Sequence, residues 1–321
     1  MIRLQGISKF FGQSKAVNQI SFTVAEGETL VLLGKSGCGK TTTLRMLNRL
    51  TEPDEGLIEL NGKDISREDP DQLRRGIGYV LQHHGLFPHY TVAENIAIVP
   101  RLLKWEKERI NQRSAELLDK LKMPLSKFKD CYPTQLSGGQ QQRVGLARAL
   151  MVSPSVLLMD EPFGALDPLT RASIRKEFNE LDELKSKTIV MVTHDILEAF
   201  EMADRICLMD QGRIVQVGTP YQLLFEPKNE FVKSFFQDQR LQLELKALRI
   251  VDVWKYIPEQ TDGAKASNSL SKETSLWDVL AALLQSENNR IHIQGHGAEN
   301  KVSGYKELMT AYSEFKTRHH E

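Results

Sequence analysis

Residues Gly34-Lys35-Ser36-Gly37-Cys38-Gly39-Lys40-Thr41 fit G-x-x-x-x-G-K-[ST] at every fixed position. The motif works only between a strand and a helix, so it constrains its surroundings as much as itself. Leu30-Val31-Leu32-Leu33 ahead of it reads as a buried strand, and Thr41 to Leu50 behind it as a helix. The glycines let backbone N–H groups converge on phosphate oxygens, and the helix adds the positive end of its dipole. In such a cradle Lys40 is expected to reach the β- and γ-phosphates. Thr41, with Thr42 next to it, is expected at the nucleotide, its hydroxyl on Mg²⁺. Cys38 fills a variable position. It reads either as a small residue that fits or as a thiol whose thiolate the loop amides and Lys40 favour.

Two more segments bear on the same chemistry. Val156-Leu157-Leu158-Met159 is an apolar strand run that ends in Asp160-Glu161. After a phosphate loop, Asp160 suits a Mg²⁺ site, and Glu161 suits a general base that polarises attacking water. Leu136-Ser137-Gly138-Gly139-Gln140 opens a helix that runs through Arg148. Ser137 is a plausible N-cap, and Gly138 and Gly139 allow an anion to approach the backbone. One nucleotide does not need two cradles in one chain. Two copies arranged head to tail would use both.

The ordered set resembles the ATP-binding-cassette family over residues 1 to 237, and Leu136 to Gln140 matches the family signature letter for letter. The resemblance implies an α/β fold: a P-loop NTPase cassette with a RecA-like core, a mainly parallel sheet, an antiparallel β subdomain and a helical insertion at about 91–151. It implies ATP and Mg²⁺ as ligands. It also assigns residues. Gln82 looks like the Q-loop glutamine, a Mg²⁺ ligand. Asp167 in Ala165-Leu166-Asp167 looks like the D-loop that crosses a dimer interface. His194 in Val192-Thr193-His194-Asp195 looks like the switch histidine, and Phe11 like the aromatic that stacks on adenine. Ser137, Gly138, Gly139 and Gln140 would then contact the nucleotide of the opposite subunit.

Composition narrows the partners. Lys and Arg number 42 against 42 Asp and Glu, so bulk charge gives nucleic acid no support. Three cysteines suggest reduced thiols, not a disulfide framework. No run approaches the ~20 apolar residues of a membrane span. The expectation is a peripheral subunit at the cytoplasmic face of the inner membrane. One compact cassette without heptads favours a transporter motor over a soluble repair, ribosome or chromosome ATPase. The implied partners are a second copy, integral membrane permease subunits and, indirectly, an extracytoplasmic substrate-binding protein. Gln82-His83-His84-Gly85-Leu86-Phe87-Pro88-His89-Tyr90 and the following Thr91 to Pro100 are similar to importers of glycine betaine, carnitine and choline. Polar amino acids and methionine are the rival cargoes.

Beyond residue 237 the sequence reads as a helical connector at 238–260 and a polar linker at 261–275. A small α/β unit at 276–321 resembles one degenerate CBS motif. That unit is expected either to regulate or to stabilise a dimer.

Overall fold

The computed structural model describes residues 1–82, 85–258, 269–286, 288–295 and 300–319. His83, His84 and most of the expected linker lie outside that set. The chain forms two compact units that divide after Val217.

The strands of the first unit are β1 (Ile2–Phe11), β2 (Ser14–Val24), β3 (Thr29–Leu33), β4 (Glu55–Leu60), β5 (Lys63–Asp64), β6 (Ile77–Val80), β7 (Val156–Asp160), β8 (Thr188–Thr193), β9 (Arg205–Asp210) and β10 (Arg213–Gly218). One sheet has the order β2-β1-β4-β5 and is antiparallel, with Ile2 opposite Val24 on one side and Leu60 on the other. Its first strand alternates: Ile2 and Leu4 are buried, Arg3 and Gln5 exposed. That is the pattern of a sheet with one wet face.

The second sheet has the order β10-β9-β3-β8-β7-β6. β3 runs parallel to β8 and β9, and β7 runs parallel to β6 and β8. Every residue of β7 and β8 is buried. Continuous Val, Ile, Leu and Met runs of this kind suit a sheet covered on both faces. A single core cluster joins Ile2, Val17 and Val24 of the first sheet to Leu30, Leu158 and Val192 of the second, with Leu44 and Met46 of helix Lys40–Leu47. Each such side chain contributes about 1.5–3 kcal/mol on burial.

The expected helical block is present as helices Val92–Leu102, Lys107–Lys120, Leu125–Phe128 and Gly138–Leu150. The first starts at a capping box between Thr91 and Glu94. Asn95, fully buried, accepts from Phe87 N–H at 2.8 Å and donates to the carbonyls of Phe87, Tyr90 and Thr91 at 3.0–3.1 Å. It thereby knits the loop that precedes the block.

The second unit is larger than the sequence suggests. Strands β11 (Ser269–Ser271), β12 (Ile291–Gln294) and β13 (Asn300–Ser303) form one sheet in that order, β11 parallel and β13 antiparallel to the middle strand. Helices Leu276–Leu284 and Tyr305–His319 complete a β-α-β-β-α order. The boundary expected after residue 237 falls after Val217, because Tyr221 and Phe225 pack on this unit's core. Residues 238–260 are not a bare connector: Leu248, Ile250, Val253 and Ile257 are core residues beside Leu276, Val279 and Ile291. The expected linker ends by Ser269, where β11 begins.

Candidate active site

The phosphate loop leaves the C-terminal end of β3. Gly39 has φ 103° and caps helix Lys40–Leu47, and a Cβ there would collide with the Ala16 carbonyl oxygen. A Cβ on Gly34 would meet the Met209 carbonyl oxygen. These positions tolerate no side chain, which is what a backbone cradle requires. The Gln211–Gly212 turn between β9 and β10 braces the loop: Gly212 N–H donates to the Cys38 carbonyl at 3.1 Å. Lys40 is buried, and its ammonium donates to the carbonyls of Gly34 at 2.7 Å and Lys35 at 3.0 Å. It is thus drawn back over the loop itself.

The neighbouring parallel strands deliver the remaining groups to the same sheet edge, where ligands of such sheets bind. Thr41 Oγ1 donates to Asp160 Oδ1 at 2.9 Å, across 119 positions of sequence. Burial holds the Asp160 carboxyl above its ordinary value, although the Thr41 bond opposes this. Glu161 follows β7 with φ 44°, an uncommon backbone state for a residue with a side chain. Its Oε2 accepts from Gln82 Nε2 at 2.9 Å, and its Oε1 lies 3.1 Å from His194 Nδ1. Gln82 follows β6 and His194 follows β8, so three strand ends converge on one carboxylate. Thr41, Asp160 and Gln82 offer a hydroxyl, a carboxylate and an amide. Those are hard oxygen donors of the kind that suit Mg²⁺. Among the described residues no group of three His, Cys, Asp or Glu forms a metal cage.

The signature segment stands apart from this cluster. Ser137 Oγ accepts from Gln140 N–H at 3.3 Å, and Gln140 Oε1 accepts from Ser137 N–H at 2.9 Å, a capping box. Ser137 and Gly138 are exposed. Among the described residues no hydrogen bond joins 137–140 to the phosphate loop of the same chain. Gly139 is buried, and its packing explains it: a Cβ would lie 2.9 Å from Ile174 Cδ1 and Thr170 Cγ2 of helix Pro168–Glu180. Asp167 caps that helix, accepting from Thr170 N–H at 3.1 Å.

The ABC transporter family model matches residues 17–164. The glycine betaine uptake system ATP-binding protein YehX of Escherichia coli (strain K12) is 48% identical over 281 residues, 88% of this chain and 90% of that protein. The chain belongs to the ABC transporter family. The glycine betaine/carnitine/choline transport ATP-binding protein OpuCA of Bacillus subtilis (strain 168) is 52% identical over 242 residues, 75% of this chain and 63% of that protein. The match therefore spans less than two thirds of that relative's length. The ATP-binding cassette MJ0796, solved in a dimeric post-hydrolysis state bound to ADP and Pi, superposes with a TM-score of 0.61 and 34% identity, covering 68% of this chain and 98% of that one.

One expectation about the cassette changes. Cys38 is not an activated thiol: it is 4% exposed, and burial raises its pKa despite Lys40 nearby. The small-residue reading holds. Phe11 ends β1 opposite Ser14, on the hairpin whose Ala16 abuts Gly39, and is 55% exposed. Lys9 Nζ lies 5.7 Å from the centre of the Phe11 ring. Sequence reading missed the Gly212 brace, and it missed Arg148, whose Nη1 donates to the Gly85 carbonyl at 2.7 Å just beyond Gln82. No local pattern announces either contact, because each depends on segments brought together by the sheet.

Proposed function

We propose that this chain is the ATP-hydrolysing subunit of a bacterial importer for osmoprotectants of the glycine betaine, carnitine and choline type. The observation that carries the reading is Glu161, held between Gln82 and His194 beside the Thr41–Asp160 pair at the mouth of the phosphate loop. Glu161 takes the role of general base, orienting and polarising the attacking water. His194 orients that carboxylate and meets the γ-phosphate. Lys40 exchanges its two carbonyl partners for phosphate oxygens. Thr41, Gln82 and Asp160 would hold Mg²⁺. When bound, Mg²⁺ neutralises charge that develops on the phosphates.

The exposed Ser137–Gln140 cap supplies backbone amides to the nucleotide of a second copy, so the working unit is a homodimer. The dimeric state of the MJ0796 cassette supports this. Permease subunits and an extracytoplasmic binding protein complete the importer, with this chain peripheral at the cytoplasmic face. No helix among the described residues is long and apolar enough to cross a membrane.

The cargo rests on the names of the relatives. The YehX alignment covers more of this chain than Met1–Val217 alone contains, so the likeness extends into the second unit. The β-α-β-β-α order there supports reading that unit as one CBS-like half, paired with another in the dimer. The test is uptake. Cells lacking this chain should lose betaine, carnitine or choline accumulation at high osmolarity. Lost methionine or polar amino-acid uptake with betaine uptake intact would overturn the cargo.

A further inference from the structure

Arg171, Arg175 and Asn179 recur every four residues on helix Pro168–Glu180 and share one face. That face meets helix Ile196–Met202, which begins directly after His194-Asp195. Arg175 Nη2 lies 3.0 Å from Glu201 Oε2, and Asn179 Nδ2 donates to the Glu201 carbonyl at 3.3 Å. Arg171 does something different. Its Nη2 donates to the Leu166 carbonyl at 3.0 Å, and its Nη1 lies 3.5 Å from Asp195 Oδ2. Leu166 immediately precedes Asp167, and Asp195 immediately follows His194.

The turn around His194 is built on the same network. Asp195 N–H donates to Thr193 Oγ1 at 3.0 Å, and Thr193 Oγ1 donates to Glu198 Oε2 at 3.0 Å. Asp195 Oδ1 accepts from Glu198 N–H at 3.1 Å. Both neighbours of His194 are therefore tied down, and one of the ties leads through Arg171 to the 165–167 loop. The network is not fully satisfied. Arg171 Nε, Arg175 Nε and Glu198 Oε1 are buried and have no hydrogen-bond partner among the described residues. Incompletely satisfied buried polar groups cost free energy, and apolar residues would serve a purely structural contact better.

We propose that Arg171 is a positioning residue for ATP hydrolysis, its guanidinium forked between the 165–167 loop and Asp195 so that Asp167 and His194 move as one body. A planar fork fixes two acceptors in a way that a point charge does not. Dimer contacts made by the Asp167 loop are thereby transmitted to His194 and, through it, to Glu161. The proposal rests on the hydrolytic roles given above to His194 and Glu161.

The test is a double-mutant cycle on the full chain. Wild-type turnover and its loss in His194→Ala establish the hydrolytic reading independently of Arg171. Arg171→Gln should then lower kcat by about tenfold or more, as small misplacements of catalytic groups do, with KM for ATP within about twofold. Added to His194→Ala, it should cause no further loss. Losses that multiply in the double variant would overturn the proposal, as would unchanged kcat with a lowered Tm. If Arg171→Gln does not fold, Arg171→Lys carries the test. A lysine ammonium has donors enough but no rigid planar fork to fix the two acceptors relative to each other, so kcat should fall to an intermediate level at unchanged KM. Wild-type kcat in Arg171→Lys would also overturn it.

Discussion

Gln82 Nε2 donates to Glu161 Oε2 at 2.9 Å, joining residues 79 positions apart. The contact ties the loop that leaves β6 to the carboxylate that follows β7. Glu161 reaches it from a left-handed backbone, with its own N–H bonded to the Val192 carbonyl at 3.0 Å and its carbonyl accepting from Gly164 at 3.1 Å. Such a conformation costs roughly 1–3 kcal/mol and persists because its surroundings over-determine it.

Glu161→Gln should therefore fold and bind ATP normally while losing turnover by about 100-fold or more. The amide keeps the shape and an acceptor for Gln82 but cannot polarise water. The variant should also accumulate an ATP-bound dimer by light scattering. Steady-state hydrolysis near wild type would remove Glu161 from the role. Lys40→Ala should fail differently, by weakened nucleotide binding.

The exposed Ser137 cap predicts shared sites. Mixing Lys40→Ala chains with Ser137→Arg chains puts both lesions in one composite site of the heterodimer and leaves the other intact. ATPase activity above either parent is expected. Activity no higher than the parents, together with Glu161→Gln staying monomeric in ATP at high concentration, would contradict the head-to-tail arrangement.

Much of this was legible because the motifs sit at forced places. Leu30–Leu33 must be a buried strand if Gly34 is to open a phosphate cradle, and β3 ends at Leu33. Periodicity served less well where tertiary contacts decide. The helical connector expected at 238–260 breaks at Leu248-Arg249, where the Leu248 carbonyl accepts from Leu276 N–H and Ile250 N–H donates to the Thr274 carbonyl. Gly139 reads as a residue that admits an anion, and packing adds a second demand for a small residue, because Ile174 and Thr170 lie against it. Nothing in a linear pattern reports which helix will pack there.

Cys38 should be slow to alkylate. Burial raises its pKa above the ordinary 9.0, so its thiolate is scarcer at neutral pH than that of an exposed cysteine. Cys131 is half-buried and should react first. Maleimide labelling with mass spectrometry at pH 7 checks the order, and the Cys38 rate should climb as pH rises toward its pKa. Preferential labelling of Cys38 at pH 7 would contradict the buried setting.

Glu198 gives a pH dependence. Burial raises its pKa from 4.5 to about 7, against the Thr193 bond and with Asp195, Arg175 and Arg171 nearby. Between those values the folded protein binds more protons than the unfolded chain, so stability falls as pH rises through that window. The loss is at most roughly 3 kcal/mol. Glu198→Gln, neutral throughout, should raise Tm at pH 8 relative to wild type and leave the pH 4.5 difference small. Parallel Tm curves for the two proteins would show that Glu198 does not titrate in this range.

The second unit predicts where the chain can be cut. Glu244 is fully buried and receives Arg240 Nε at 2.6 Å, Lys316 Nζ at 3.0 Å and the Tyr312 hydroxyl. Burial alone would raise its pKa, but these three donors outweigh it and leave the carboxyl low. Ending the chain after Pro258 removes Tyr312 and Lys316 from that charge. It also strips Leu248, Ile250 and Val253 of Leu276, Val279 and Ile291. Each uncovered aliphatic side chain forfeits about 1.5–3 kcal/mol. A buried charge that loses its partners costs several more. A chain ending after Pro258 should therefore bind a hydrophobic dye and aggregate, whereas one ending after Val217 should stay soluble and hydrolyse ATP. Sedimentation and dye fluorescence of the two truncations distinguish the cases. A monodisperse, dye-silent 1–258 would mean that residues 218–258 do not depend on the core formed with 269–319.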